Sequence, residues 1–331
     1  MAGRRRKKSG GRSYAWRYRG RIVACVFVEV IIICALVIMI GWNKGVKEWF
    51  EQFEQPVLKE VDISGINSPN AILMQARGGK ILGEINGEAQ IYPASMTKIM
   101  TVILGIENFD DLDEKITLTN EMFSGLYEQD ATQAVFQPGE EVRVIDLLYG
   151  AMLPSGAECC IALADTISGS EADFAELMNK KARKLGMENT HFCDSTGLHN
   201  PDHYSTVKDI AVLMKYCIKN DTFREIVETS RHSTGVTNIH PDGITYYSTM
   251  FKNLSDPTVT GGKILGGKTG YTSEAGHCLV SFAEIEGREY IFVSAGASGA
   301  DGNTIPHIQD AVTVYNRVGA AIEAKMNNNN K

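Results

Sequence analysis

The sequence contains no C-x-x-C pair, no H-E-x-x-H segment and no internal repeat. The first two absences remove common spellings of a redox-thiol or zinc site. The third removes solenoids and propellers. Seven cysteines are present. Cys25 and Cys34 fall inside one apolar run, and the other five (Cys159, Cys160, Cys193, Cys217 and Cys278) are odd in number. That argues against a disulfide framework and leaves buried free thiols as the reading. Positive charge is scarce once residues 1–21 are set aside. Those hold nine Lys/Arg and no acid, so residues 22–331 sum to −16, nine below the total of −7. An acidic body of this kind does not suggest a nucleic-acid partner. No convincing interdomain linker occurs either, and a chain of 331 residues that is 44% hydrophobic can bury a core without covalent staples.

One long hydrophobic run is present. Ile22–Ile40, "IVACVFVEVIIICALVIMI", has a single charge, Glu29. As a helix it would be about 28 Å long, close to the hydrocarbon thickness of a bilayer. A cleaved signal peptide is the competing reading, but the run ends "IMIGWNKG" rather than in small residues. The basic tip then keeps the N-terminus in the cytoplasm and exports the chain after Gly41. Residues 42–57 carry Val46, Trp49, Phe50 and Phe53 at helical spacing. They read equally as an amphipathic stalk at the membrane surface or as a short helix packed on the domain.

Beyond this, "AILMQARGGKILGEI" reads as a hairpin through a Gly-Gly turn. "YPASMTKIMTVILGIEN" reads as a helix that starts near Ser95 and is apolar nearly all round from Ile99 to Leu104, as in the middle of a domain. "GEEVRVIDLLYGAML", a "PSG" break and "AECCIALADTI" read as helix–loop–helix, with three further helices to about residue 229. From Lys263 the period becomes two, and a final helix comes after it. Strands therefore lie at both ends of the exported segment with helices between. That predicts an α+β fold, one antiparallel sheet built from both ends and flanked by helices.

Ser95 and Lys98 are three residues apart and share a helix face. A serine hydroxyl becomes a nucleophile when a base takes its proton, and a neutral amine one turn away can do so. Burial and a second cation nearby would both lower the lysine pKa. The S-x-x-K spacing alone is weak, expected about once by chance in a chain this long. It occurs twice, at Ser95 and at Ser205, where Ser205 reads as an ordinary helix N-cap. Downstream of Ser95 come "SGA" at Ser155–Ala157 and "KTG" at Lys268–Gly270. K-T-G is expected roughly 0.1 times per chain.

The ordered set S-x-x-K, S-D-N, K-T-G is a signature of penicillin-binding proteins and class A β-lactamases, and Ser155–Ala157 stands in the second place. With "YPASMTKIMT", "LLYGAMLPSGAE", "LGMENTHFCDSTGLHNPDHYS" and "GGKTGYTSEAGHCLVSFA", residues 65–300 resemble the D-alanyl-D-alanine carboxypeptidases, the low-molecular-mass penicillin-binding proteins of serine-peptidase type. The resemblance implies a β-lactamase/transpeptidase-like fold and no cofactor or metal. It implies Ser95 as acyl-forming nucleophile, Lys98 as its base and Ser155 as proton relay to the leaving D-alanine. Lys268 would supply positive field and hold Ser155, and Lys268 and Thr269 would meet the substrate carboxylate. The N–H groups of Ser95 and Tyr271 would form the oxyanion hole. Gly270, with Gly266 and Gly267, would leave room for a stem peptide ending in D-Ala-D-Ala to lie as an added strand. β-Lactams would be covalent inhibitors.

The implied organisation is a basic cytoplasmic tail (1–21), a transmembrane signal anchor (22–41), a juxtamembrane stalk (42–64), a serine DD-peptidase domain (65–325) and a disordered tail (326–331). The implied setting is a bacterial cell membrane, with the catalytic domain extracytoplasmic. The separate C-terminal β domain of many relatives is not expected here. One departure is that the second motif usually ends in Asn, whereas here Ala157 is followed by Glu158. Glu158 or water would compensate, or Lys98 would be held less well. That substitution keeps open a catalytically weak or dead peptidoglycan-sensing protein on the same fold. A serine β-lactamase is a further alternative, but no E-x-x-L-N comes after the second motif. A zinc D,D-peptidase is a third, through His199 and His203, which otherwise read as surface histidines of a Gly/Pro/Asn loop.

Overall fold

The computed structural model describes residues 58–329 apart from 255 and 300–304. The expected tail and membrane anchor, and residues 42–57 of the stalk, lie outside the described residues. Among the described residues no helix is long and apolar enough to cross a membrane.

Strands β1 (Asn70–Gln75) and β2 (Ile81–Ile85) form the first hairpin. A 3-10 turn, Ala94–Thr97, leads directly into α1 (Lys98–Asn108). The short strands β3 (Lys115–Thr117) and β4 (Glu141–Arg143) pair with each other. The "GEEVRV" stretch expected as helix is thus partly strand, and the helix proper, α2, starts at Val144 and ends at Met152. Then come α3 (Ala157–Ser168), α4 (Glu171–Leu185), α5 (Val207–Cys217) and α6 (Asp221–Glu228). A small hairpin, β5 (Arg231–Ser233) and β6 (Thr245–Tyr247), and the short α7 (Thr249–Asn253) precede β7 (Thr258–Val259). The chain closes with β8 (Gly262–Thr272), β9 (Gly276–Ile285), β10 (Arg288–Ala297) and α8 (Pro306–Asn329).

The main sheet has six strands in the order β2-β1-β10-β9-β8-β7, all neighbours antiparallel. Both ends of the segment therefore meet in one sheet, as expected. The alternation of strand side chains divides the apolar residues between two cores. Ile72 and Met74 of β1 and Ile291 and Val293 of β10 pack with α1 to α6, whereas Leu73, Tyr290 and Phe292 pack with α8. Both faces are covered, which explains why β1 reads as an unbroken apolar run. Burial of α1 from Lys98 to Gly105 places its N-terminus in the middle of the larger core.

Three boundaries differ from expectation. Leu58, Val61 and Ile63 are buried in the α8-side core and Val61 N donates to Leu82 O, so packing starts before residue 65. At the other end, α8 runs to Asn329, through most of the expected disordered tail. Thr206 caps α5, accepting from Asp209 N, while Ser205 is buried against Thr190. Ser205 is therefore not the N-cap. Cys159, Cys160, Cys217 and Cys278 are buried free thiols, and Cys193 is half-buried.

Candidate active site

Pro93 precedes a backbone kink at Ala94 (φ +46°), and the 3-10 turn after it presents Ser95. In such a turn side chains three apart eclipse. Lys98 Nζ accordingly donates to Ser95 Oγ at 3.0 Å. Its second hydrogen bond, 2.6 Å, goes to the carbonyl of Thr196. That carbonyl is held by an Asx turn: the Asp194 carboxylate accepts from Thr196 N, Thr196 Oγ1 and Gly197 N, each at 2.7 Å. Burial would raise the Asp194 pKa, but the hydrogen bond and charge of His203 and the bonds from Thr196 outweigh it and hold it at about 2.

Lys98 is 3% exposed. Burial lowers its pKa from the ordinary value, while the Asp194 carboxylate pushes back. Ser155 donates its hydroxyl to Ser95 Oγ at 3.0 Å from the loop between α2 and α3. Its φ of +74° is a conformation few non-glycine residues adopt, and such strain is found where geometry is imposed by the surroundings. Lys268, 1% exposed, projects from β8 into the same interior. Burial, then the charge of Lys98, holds its pKa well below the usual lysine range. A cleft of about 640 Å³ opens over Ser95, Ser155, Thr269, Gly270 and Tyr271. The structure thus brings together all seven residues singled out in the sequence. β7 pairs only with Gly262 and Lys263, so among the described residues the same edge of β8 is left without a strand partner at Lys268–Tyr271.

Four details differ from expectation. Lys268 donates to Thr269 O at 2.9 Å rather than to Ser155. The glycines do not make room for a ligand: an added Cβ at Gly270 would lie 3.0 Å from Ser95 N, at Gly266 2.4 Å from Val227 O and at Gly267 2.5 Å from Val280 O. They allow β8 to lie directly against the nucleophile turn, α6 and its neighbour strand. Among the described residues Glu158 makes no hydrogen bond to Lys98: its Oε1 accepts from Ala134 N at 2.6 Å, and the Thr196 carbonyl takes the lysine's second bond. Finally, His203 is buried, bonded to Thr97 Oγ1 at 2.9 Å and Asp194 at 3.2 Å, and is not a surface residue. Among the described residues no group of three His, Cys, Asp or Glu could hold a metal ion.

Sequence reasoning missed Asp194, Thr196 and Thr249, whose Oγ1 lies 2.7 Å from that of Thr269. The D-S-T-G run at 194–197 is the signal for the first two, a turn-forming carboxylate ahead of glycine.

Known proteins resemble this chain in sequence and in fold. The family profile described as D-alanyl-D-alanine carboxypeptidase, peptidase S11, matches residues 57–299. The D-alanyl-D-alanine carboxypeptidase DacF of Bacillus subtilis is 34% identical over 233 residues, 69% of this chain and 57% of DacF. The chain thus spans little more than half of that relative. A D-alanyl-D-alanine carboxypeptidase of Streptomyces sp. K15 is 35% identical over 236 residues, 69% of this chain and 78% of its own. The crystal structure of the Streptomyces K15 DD-transpeptidase superposes with a TM-score of 0.71 at 30% identity, covering 79% of this chain and all of that one. With that agreement in sequence and in the transpeptidase-like α+β fold, the chain belongs to the D-alanyl-D-alanine carboxypeptidase family, peptidase S11.

Proposed function

We propose that the protein is a membrane-anchored serine D-alanyl-D-alanine carboxypeptidase that removes the terminal D-Ala from peptidoglycan stem peptides. The observation that carries the reading is Ser95 Oγ at 3.0 Å from both Lys98 Nζ and Ser155 Oγ. Burial favours the neutral form of Lys98, so it can accept the Ser95 proton. Ser95 Oγ then attacks the carbonyl of the penultimate D-Ala. The substrate runs along the open edge of β8, where backbone bonds can hold an extended peptide. The N–H groups of Ser95 and Tyr271 stabilise the oxyanion. Gly270 supports this pairing because strand and turn touch there. Ser155 passes a proton to the leaving amine, D-Ala departs, and water hydrolyses the ester on Ser95. Thr269, whose carbonyl accepts from Lys268 Nζ, faces the substrate carboxylate. β-Lactams acylate the same oxygen.

The full-length protein in detergent, incubated with a pentapeptide ending in D-Ala-D-Ala, should release free D-Ala and be labelled by fluorescent penicillin. The absence of both D-Ala and label would overturn the reading; label without D-Ala would favour a sensor of weak activity. The apolar run Ile22–Ile40 behind a basic tip supports a bacterial membrane location with the N-terminus cytoplasmic and the catalytic domain outside. Protease digestion of intact spheroplasts should degrade that domain, and its full protection would refute the orientation.

A further inference from the structure

A substrate that ends in a free carboxylate brings a negative charge into the cleft, and a carboxylate leaving water needs donors there. Among the described residues that line the cleft none is Lys or Arg, and two, Asp130 and Glu274, are acids. The two lysines stand behind the cleft wall, with Lys98 bonded to Ser95 and Thr196 and Lys268 bonded to Thr269 O. The groups on the wall that can become cations are histidines. Two of them form a unit. His277 and His307 stack in parallel, ring centroids 5.0 Å apart and planes 4° apart, and the Tyr271 ring lies 4.7 Å from His277. His307 is 4% exposed, borders the cleft, and its Nδ1 is buried without a hydrogen-bond partner among the described residues. It also stands in the first turn of α8, a 24-residue helix whose N-terminal end favours anions.

We infer that His307 and His277 form the subsite that binds the C-terminal carboxylate of the peptide, beside Thr269. This rests on the proposed carboxypeptidase reading and gives a part in substrate selection to two residues outside the three motifs. A buried nitrogen with no partner is costly unless a ligand completes it. The histidines are where the wall can supply charge and donors together.

The charges around the pair set the sign of its pH response. Burial, then His277, holds the His307 pKa at about 4, against an opposing pull from Asp310, whose carboxylate is already bonded to Ser68 and Asn67. Burial lowers His277 as well. Tyr271 faces His277 from β8, and Glu274 with His199, 4.0 Å apart, stands on the same cleft wall. The empty pair is therefore neutral near pH 7. An arriving carboxylate stabilises the imidazolium form, so binding takes up a proton and tightens as pH falls.

The test uses full-length protein, an acyl-D-Ala-D-Ala peptide and the same peptide amidated at its C-terminus. Wild type should prefer the acid, and KM for the acid should rise between pH 5 and 8 relative to KM for the amide. His307→Gln and His277→Gln should each reduce the acid-over-amide ratio of kcat/KM by about tenfold or more, chiefly through KM, the size of one lost charge-assisted hydrogen bond. Variants that melt like wild type and keep its ratio would overturn the inference. If neither variant folds, the wild-type profile decides, and an acid KM that tracks the amide KM across pH overturns it. If wild type hydrolyses neither peptide, the proposed function falls. Calorimetric binding of both peptides to Ser95→Ala protein then decides the subsite alone, with equal affinity for acid and amide as the refuting result.

Discussion

Two stretches of this chain are spelled S-x-x-K, at Ser95–Lys98 and at Ser205–Lys208, and they have opposite fates. In the first, the lysine is 3% exposed, bonded to its serine, and lowered in pKa by burial. In the second, the lysine side chain is 38% exposed and paired with Glu88, whose hydrogen bond raises its pKa. Ser205 turns instead to Thr190. Local spacing is identical, so spacing does not make a nucleophile. The difference comes from what closes over the ammonium. At Lys98 a core of helices excludes water and the Thr196 carbonyl fixes the amine, whereas at Lys208 solvent and a carboxylate keep it charged.

The largest effect expected from this contrast is at the first site. Lys98→Ala should reduce penicillin acylation and D-Ala release by about 10²–10⁴-fold, the usual contribution of a positioned base. Stopped-flow acylation measures it, and wild-type rates in the variant would remove Lys98 from the mechanism. Next is Gly270→Ala, whose Cβ would meet backbone and Cβ atoms of the nucleophile turn at 3.0–3.2 Å. A displacement of that turn by a few tenths of an ångström to one ångström should lower kcat/KM by about tenfold to hundredfold. Unchanged kinetics would show that strand and turn are only loosely coupled.

A smaller effect concerns the acid that shares the interior with Lys98. Burial pushes Glu158 up to about 7, against the hydrogen bonds of Ala134 and Phe136 and the charge of Lys98. Unfolded, it titrates near 4.3. Between these values the native state holds the extra proton, so stability falls as pH rises through that window and levels off above it. The full span is about 3–4 kcal/mol. Glu158→Gln should flatten the dependence of Tm on pH over this range; a slope equal to wild type would count against the assignment. The smallest effect is expected at the second site. Lys208→Ala should change stability by no more than about 1 kcal/mol, because exposed ion pairs contribute little, and should leave penicillin labelling intact. A loss of labelling would erase the distinction between the two segments.

Much of the fold and site is legible in local pattern. Period-two runs mark β8, β9 and β10, the all-round apolar stretch after Ser95 marks a buried helix, and the rarity of K-T-G separates the two S-x-x-K segments. Pattern alone misleads at Gly266, Gly267 and Gly270. A glycine shows that something comes close, but whether ligand, turn or helix does so depends on packing. His203 reads as a surface residue because its loop is rich in Gly, Pro and Asn. The loop instead folds over α1, and Thr97 and Asp194 occupy both ring nitrogens.

The order of the three motifs, the alternation that puts apolar residues on both faces of the sheet, and the acid excess of the body belong to the sequence by itself, because each is a property of residue identity and spacing along the chain. Tertiary structure alone decided which lysine is desolvated, that Thr196 O holds it where an asparagine was expected, and that His277 and His307, 30 residues apart, stack beside one cleft. Desolvation and hydrogen bonding depend on distances through space, and the chain sets those only once the two cores have closed on either side of the sheet.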